Sequence, residues 1–104
     1  MTNIDLAIQI VNYKTHKYID PLLKSVTQDL TNSNLKYEIL ILDNASSDDL
    51  SGIKEKWSNH NVKIYHSKVN SGFGAGNNFL EKHSSGKLIL LISPDMQIIE
   101  KNTI

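Results

Sequence analysis

The sequence predicts an α/β fold, with a parallel β-sheet and helices on both of its faces. Residues 39–42 and 88–92 are continuous apolar runs, too short for helices, and such runs are typical of strands in a parallel sheet. Segments with apolar residues at helical spacing lie between the runs, so the elements alternate as β-α-β-α-β-α-β. This order implies right-handed crossovers, and the predicted spatial order of the strands is third, second, first and fourth.

The first strand is predicted over residues 6–11, and a helix follows it. Asp20 and Pro21 are typical of an N-cap and a first helical position. A start near Thr15, with Pro21 inside the opening turns, fits the same pattern. The apolar residues of this helix share one face: Leu22, Leu23, Val26 and Leu30.

The second strand ends abruptly at Asp43, where small, turn-forming residues follow. The next helix is predicted over residues 48–57, with Asp48 and Asp49 in its first turn and Trp57 as a core anchor. The remaining predicted elements are a strand over residues 62–66, a glycine-bearing loop over residues 68–76, a short helix over residues 74–83 and the strand over residues 88–92.

The composition excludes several classes of protein. Eleven basic and eleven acidic side chains cancel, so no general attraction to nucleic acid or anionic lipid is expected. The chain has no cysteine, which excludes disulfides and thiolate metal sites. No signal peptide is recognisable, and no apolar stretch approaches the roughly 20 residues of a membrane helix. A single cytoplasmic domain is therefore expected.

Polar residues follow three of the predicted strands: Asn12 and Tyr13, Asp43 and Asn44, and residues 93–95. The carboxyl ends of parallel strands meet at one edge of a sheet, where ligands of such folds bind. An aromatic ring beside a carboxylate suits a nucleobase and its ribose, and a second carboxylate suits a divalent cation that neutralises phosphate charge. A lone aspartate at the end of the second strand would be explained equally well as a turn cap.

A glycine-rich segment covers residues 70–78, Asn-Ser-Gly-Phe-Gly-Ala-Gly-Asn-Asn. Glycines permit close approach of a ligand, and the start of the following helix favours anions. The spacing and position differ from those of dinucleotide-binding and phosphate-binding loops, so a nicotinamide-binding domain is disfavoured. On its own, the glycine run indicates no more than a tight turn.

Four segments together resemble the nucleotide-binding half of inverting family 2 glycosyltransferases. They are residues 10–14 (Ile-Val-Asn-Tyr-Lys), 38–48 (Glu-Ile-Leu-Ile-Leu-Asp-Asn-Ala-Ser-Ser-Asp), 70–78 and 93–95 (Ser-Pro-Asp), and they cover essentially the whole chain. The resemblance is strongest to the rhamnosyltransferase-like subgroup. It implies a Rossmann-like sheet that forms the N-terminal half of a GT-A fold, a UDP- or dTDP-linked sugar as donor, and Mg²⁺ or Mn²⁺ as cofactor.

The same resemblance implies roles for individual residues. Tyr13 would pack against the base, Asp43 would form a hydrogen bond to it, and Asp95 would bind the metal ion at the diphosphate. The implied contacts to the nucleotide-sugar are Asn12, Tyr13, Asp43, Asn44, Asn70, Gly72, Phe73, Gly74, Asn77, Asn78 and Ser93.

Two features depart from the family pattern. Ser93 stands where relatives carry Asn or Asp, which affects the contact to the ribose or sugar. Family domains also continue with an acceptor-binding half that supplies an Asp or Glu as general base. The resemblance therefore implies that residues 1–104 are a donor-binding part, truncated before the acceptor half. Residues 1–104 alone are then expected to transfer no sugar. The full enzyme would modify a glycan or lipid-linked acceptor in polysaccharide biosynthesis, peripheral to the inner face of the membrane.

Three further expectations concern an alternative function, the histidines and self-association. A non-catalytic nucleotide-binding or assembly domain would fit the same motifs. The four histidines, His16, His60, His66 and His83, lack metal-ligand spacing and are expected to be exposed or structural. The strand over residues 88–92 is apolar at every position with few helices to cover it, so self-association through residues 88–104, most simply as a twofold dimer, is expected.

Overall fold

The computed structural model describes residues 4–45, 49–70 and 72–92, without the side chain of Phe73. In chain order the elements are β1 (Leu6–Asn12), α1 (His16–Thr31), β2 (Tyr37–Asn44), α2 (Ser51–Lys56), a short 3-10 helix (Ser58–His60), β3 (Val62–Ser67), α3 (Gly72–His83) and β4 (Leu88–Leu91). No helix within these ranges has the length and apolar character needed to cross a membrane.

The strands form a parallel sheet in the order β3-β2-β1-β4, which confirms the predicted α/β fold and strand order. Every residue of β1 is buried, and so is every residue of β2 after Tyr37. These two strands lie in the centre of the sheet, with a paired strand on each side. Their burial explains why their sequences are apolar almost throughout.

Helices cover both faces of the sheet, as the sequence predicts. On one face, Leu22 of α1 and the neighbouring Trp57 belong to a core that includes Ile8, Ile10, Ile39 and Ile41. On the other face, Leu80 of α3 packs with Val11, Leu40 and Leu42. Side chains alternate between the faces along a strand, so each central strand contributes to both cores.

Helix α1 begins at His16, so the earlier of its two predicted starts is correct and Pro21 lies inside the helix. Asp20 does not cap the helix. Its Oδ1 accepts a hydrogen bond from the indole of Trp57 at 2.9 Å, and its Oδ2 accepts one from the ammonium of Lys56 at 3.0 Å. The hydrogen bond from Lys56 holds the pKa of Asp20 below its usual range. The carboxylate therefore ties α1 to the end of α2.

Helix α3 begins at Gly72, two residues before the predicted start, so Gly74 and Gly76 are helical and the predicted loop is shorter. Gly72 has a φ of 89°, which a residue with a side chain rarely adopts. A Cβ on Gly76 would lie only 3.0 Å from a methyl carbon of Val11. The absence of a side chain at Gly76 lets α3 pack closely on β1.

Strand β4 forms an edge of the sheet, with β1 as its neighbour. Its side chains are more exposed than those of the central strands: the exposed fraction is 70% for Leu88, 41% for Ile89 and 49% for Leu91. Among the described elements, helix α3 packs mainly on β1 and β2. The exposure of these apolar side chains agrees with the expectation that few helices cover the fourth strand.

Candidate functional site

Two apolar layers cross the sheet beneath its carboxyl edge. Each layer takes one residue from β1, β2 and β3: Ile8, Ile39 and Val62, then Ile10, Ile41 and Ile64. The next level on the same face contains Asn12, Asp43 and His66, which are aligned by the strand register. These three residues are called the polar row. The change from apolar to polar side chains marks the carboxyl edge as a candidate ligand site.

Hydrogen bonds orient the polar row from the β1 side. The hydroxyl of Thr15 donates to Oδ1 of Asn12 at 2.7 Å, and Nδ2 of Asn12 donates to Oδ1 of Asp43 at 3.1 Å. On the β3 side, Nδ1 of His66 lies 3.6 Å from Oδ2 of Asp43. Both oxygens of the Asp43 carboxylate therefore have a polar neighbour.

The exposure of the polar row increases from β1 to β3. Asn12 is fully buried, the side chain of Asp43 is 7% exposed and that of His66 is 64% exposed. An ionised carboxylate offers about four lone-pair positions, so Asp43 can accept a ligand N–H as well as its bond from Asn12. This arrangement is suited to binding a hydrogen-bond donor, such as an N–H, on a planar ligand.

The backbone turns sharply where β1 and β2 end. Lys14 and Ala45 have positive φ values, 58° and 64°, although neither is glycine. Backbone strain of this kind is concentrated at functional sites. Tyr13, between Asn12 and Lys14, is 42% exposed, and the ammonium of Lys14 lies 5.2 Å from the centre of its ring. The ring of Tyr13 is thus accessible at the edge where the sequence predicts a stacked base.

Asn44, Asn70 and Gly72 form a second connection at this edge. The amide of Asn44 donates to Oδ1 of Asn70 at 2.9 Å and to the carbonyl of Gly72 at 3.2 Å. Oδ1 of Asn70 also accepts the backbone N–H of Gly72 at 3.0 Å. These hydrogen bonds bring the three residues together and hold the start of α3 against the end of β2. Their contacts to a nucleotide-sugar stay predictions.

The predicted contacts on α3 have different surroundings. Asn77 is 5% exposed, and its side-chain oxygen lies 3.2 Å from the amide nitrogen of Gln9 in the orientation of Gln9 that satisfies both groups. Gly74 and Asn78 are exposed. Asn77 thus faces β1, while Asn78 faces outward. The roles of these residues toward a nucleotide-sugar stay predictions.

A cleft of about 250 Å³ adjoins the β3 end of the polar row. Two hydrogen bonds from Ser51, one from its hydroxyl at 2.7 Å and one from its backbone N–H at 3.0 Å, lower the pKa of Asp49 at the rim. The cleft is lined by Asp49, Leu50, Ser51, Lys54, Ile64 and His66.

The predicted metal site depends on residues outside the described ranges. Ser93 and Asp95 are not among the described residues, and neither is the side chain of Phe73. Within the described part of the chain, no three His, Cys, Asp or Glu side chains are grouped closely enough to hold a metal ion. Asp43 already lies against Asn12 and His66, so the described donors do not form a metal site by themselves.

The sequence predicts that His66, the third member of the polar row, is exposed or structural. It is exposed, but it also lies beside Asp43. The alternation of Val62, Ile64 and His66 in β3 places His66 on the same face as the apolar residues. That alternation, combined with the register of β3 against β2, would have indicated the contact.

The chain is similar to known glycosyltransferases. Poly(ribitol-phosphate) beta-N-acetylglucosaminyltransferase TarS of Staphylococcus aureus is 31% identical over 101 residues, which are 94% of this chain and 17% of TarS. The chain thus spans about a sixth of the length of that relative.

Solved structures of glycosyltransferases are similar to this chain as well. A crystal structure of S. aureus TarS 1–349 in complex with UDP-GlcNAc matches with a TM-score of 0.76 at 27% identity, over 88% of this chain and 27% of that chain. The mannosyltransferase PcManGT from Pyrobaculum calidifontis, solved with GDP-Man and Mn²⁺, matches with a TM-score of 0.82 over 99% of this chain and 31% of that chain. Its identity is 15%, so that match concerns the fold alone. Together these structures confirm the Rossmann-like sheet of a GT-A fold.

The family model for glycosyl transferase family 2 matches residues 7–102, nearly the whole chain. The polar row and the strand ends around it lie inside that match. The chain belongs to glycosyl transferase family 2.

Proposed function

We propose that the chain is the donor-binding part of a glycosyltransferase and binds a UDP-linked sugar at the carboxyl edge of its sheet. The observation that best supports the proposal is the polar row, in which Asp43 is fixed by Asn12 and ready to accept an N–H from a base. Tyr13, the residue after Asn12, offers an exposed ring at the end of β1. The likeness to TarS bound to UDP-GlcNAc favours UDP over other nucleotides. A dTDP-linked sugar presents a similar base and is the second choice.

We place the divalent cation, Mg²⁺ or Mn²⁺, at Asp95. Ile92 is the last described residue, and its N–H donates to the carbonyl of Gln9, so the chain is still paired with β1 close to the carboxyl edge. Asp95 follows three residues later in the sequence. A metal ion bound there would neutralise charge on the diphosphate. Ser93 is proposed to contact the ribose or sugar.

The transfer step is proposed for the full enzyme. A general base from outside these residues would deprotonate a hydroxyl of a glycan or lipid-linked acceptor, which would displace the nucleoside diphosphate with inversion. Action in polysaccharide biosynthesis, in the cytoplasm or at the inner face of the membrane, belongs to the same proposal. The alternative, a non-catalytic nucleotide-binding or assembly domain, would keep the binding edge without transfer.

Calorimetric titration with UDP-GlcNAc, dTDP-glucose and GDP-mannose, each with and without Mn²⁺, tests the proposal. Asp43→Ala should weaken binding about 10- to 100-fold with or without metal, because a hydrogen bond to a charged group is lost. Asp95→Ala should remove only the part of the affinity that depends on Mn²⁺. Glu55→Ala, at an exposed position on α2, is the control and should bind as the wild type does.

The results of these titrations can reject the proposed function or the proposed roles of Asp43 and Asp95. Absence of binding to every nucleotide-sugar would reject the proposal, and equal effects of Asp43→Ala and Asp95→Ala on metal-free binding would reject the division of roles. We expect no sugar transfer by this chain alone, measured as release of nucleoside diphosphate with candidate acceptors. Transfer by the isolated chain would contradict the assignment of the general base to other residues.

A further inference from the structure

We propose that His66 is a positioning residue for Asp43: it holds one carboxylate oxygen while Asn12 holds the other, and its protonation strengthens binding of the nucleotide. The inference rests on the proposed function. It assigns a role to a histidine that has no metal-ligand spacing and that neither the motifs nor the chemistry of transfer requires.

The geometry of the polar row supports this role. The register pairs His66 with Asp43, and the two side chains lie on the same face, 3.6 Å apart between Nδ1 and Oδ2. On the other side, Asn12 is neutral and is itself fixed by Thr15. The contact from β1 is therefore insensitive to pH, whereas the contact from β3 strengthens when the imidazole gains a proton.

Within residues 4–45, 49–70 and 72–92, few charged groups lie around His66. Asp43 faces it from β2, and Asp49 and Lys54 line the same cleft from the segment that includes α2. On its own strand, Lys63 points to the opposite face, 3.9 Å from Glu38. Among these groups Asp43 is the one in direct contact with the imidazole. A proton on His66 would therefore act mainly on the Asp43 carboxylate.

The sign of the pH effect follows from the ion pair. An ordinary histidine is protonated below about pH 6.5, and the carboxylate of Asp43 is then attracted to the imidazolium. The attraction restrains the carboxylate in the orientation set by Asn12, so less rotational freedom is lost when a base binds. Because exposed ion pairs contribute about 0.2–1 kcal/mol, the affinity should rise about 3-fold between about pH 8 and about pH 5.5.

The test measures dissociation constants for UDP-GlcNAc and for uridine between about pH 5.5 and about pH 8. Uridine lacks phosphate, so it reports on the base site alone. The wild type should bind both ligands about 3-fold more tightly at the lower pH. His66→Gln should bind weakly at every pH, and His66→Lys, with a permanent charge, should bind tightly at every pH. His83→Gln, on the exposed surface of α3, is the matched control and should keep the wild-type profile.

Several results would overturn the inference. A pH effect that is present for UDP-GlcNAc and absent for uridine would show that His66 acts on the phosphates and not through Asp43. A wild-type profile in His66→Gln would show that another group titrates. If the wild type binds no nucleotide at any pH, the proposed function fails, and the role of His66 in nucleotide binding fails with it.

A measurement without nucleotide separates these failures. The NMR signals of the His66 imidazole protons should differ between Asp43→Asn and the wild type at low pH, because the carboxylate that lies 3.6 Å from the imidazole has lost its charge. Equal signals in the two proteins would disprove the coupling between His66 and Asp43 directly, whatever the outcome of the binding measurements.

Discussion

At the scale of single residues, the carboxyl edge is built on strained backbone. Ala45, directly after β2, has a φ of 64° without being glycine. A left-handed conformation costs a residue with a side chain about 1–2 kcal/mol. The turn that follows Asp43 and Asn44 is therefore maintained by the surrounding structure, which is the situation expected where a strand must present side chains to a ligand.

Ala45→Gly tests this strain. Glycine relieves the left-handed conformation but adds about 0.5–1 kcal/mol of backbone entropy to the unfolded chain, so the free energy of unfolding should stay level or rise by up to about 1.5 kcal/mol. Ala75→Gly, at an exposed position inside α3, has no strain to relieve and should lose about 0.5–1 kcal/mol. Urea unfolding measures both. A loss in Ala45→Gly as large as that in Ala75→Gly would disprove the strain.

The residues at this edge differ in how far the sequence could predict them. Asn12, Tyr13 and Asp43 directly follow or end apolar runs, so their place at the carboxyl edge could be predicted from the pattern alone. His66 could not be placed in the same way. Its contact with Asp43 depends on the register between β2 and β3, and register is a property of two strands together.

At the scale of elements, local signals leave the start of α1 open. Asp20 and Pro21 are typical of a helix start, yet α1 begins at His16, and Asp20 forms hydrogen bonds with Lys56 and Trp57 instead of capping the helix. Those partners are 36 and 37 residues away along the chain. Local sequence therefore cannot reveal the partners of Asp20. The strands are predicted closely because the pattern that indicates them is the apolar content of their own residues.

Helix α3 offers a prediction about packing against the sheet. Gly74 has open space where a Cβ would lie, so Gly74→Ala should stabilise the helix by about 1 kcal/mol. Gly76→Ala gains the same helix propensity, but its Cβ would lie 3.0 Å from Val11 and 3.3 Å from Leu42. Gly76→Ala should therefore be the less stable of the two variants in thermal or urea unfolding. Equal gains in both variants would show that α3 does not need the glycine to pack on the sheet.

At the scale of the whole molecule, the centre and the edge of the sheet are covered to different degrees. The central strands β1 and β2 are buried, whereas β4 is an edge strand among the described strands and carries exposed apolar side chains. An exposed edge strand can pair with another chain through its free backbone groups. Pairing of two β4 strands around a twofold axis would extend the sheet and cover Ile89 and Leu91 in both copies.

We therefore predict that the chain forms a dimer through β4, which light scattering at tens of micromolar would detect. Ile89→Lys should return the chain to a monomer, because a charge on an edge strand opposes pairing. Leu35→Lys is the matched control: Leu35 is 42% exposed and Ile89 41%, but Leu35 lies in the loop between α1 and β2. The control should stay dimeric. A monomeric wild type would contradict the prediction, and so would equal loss of association in the two variants, since general surface hydrophobicity and not the β4 edge would then drive the contact.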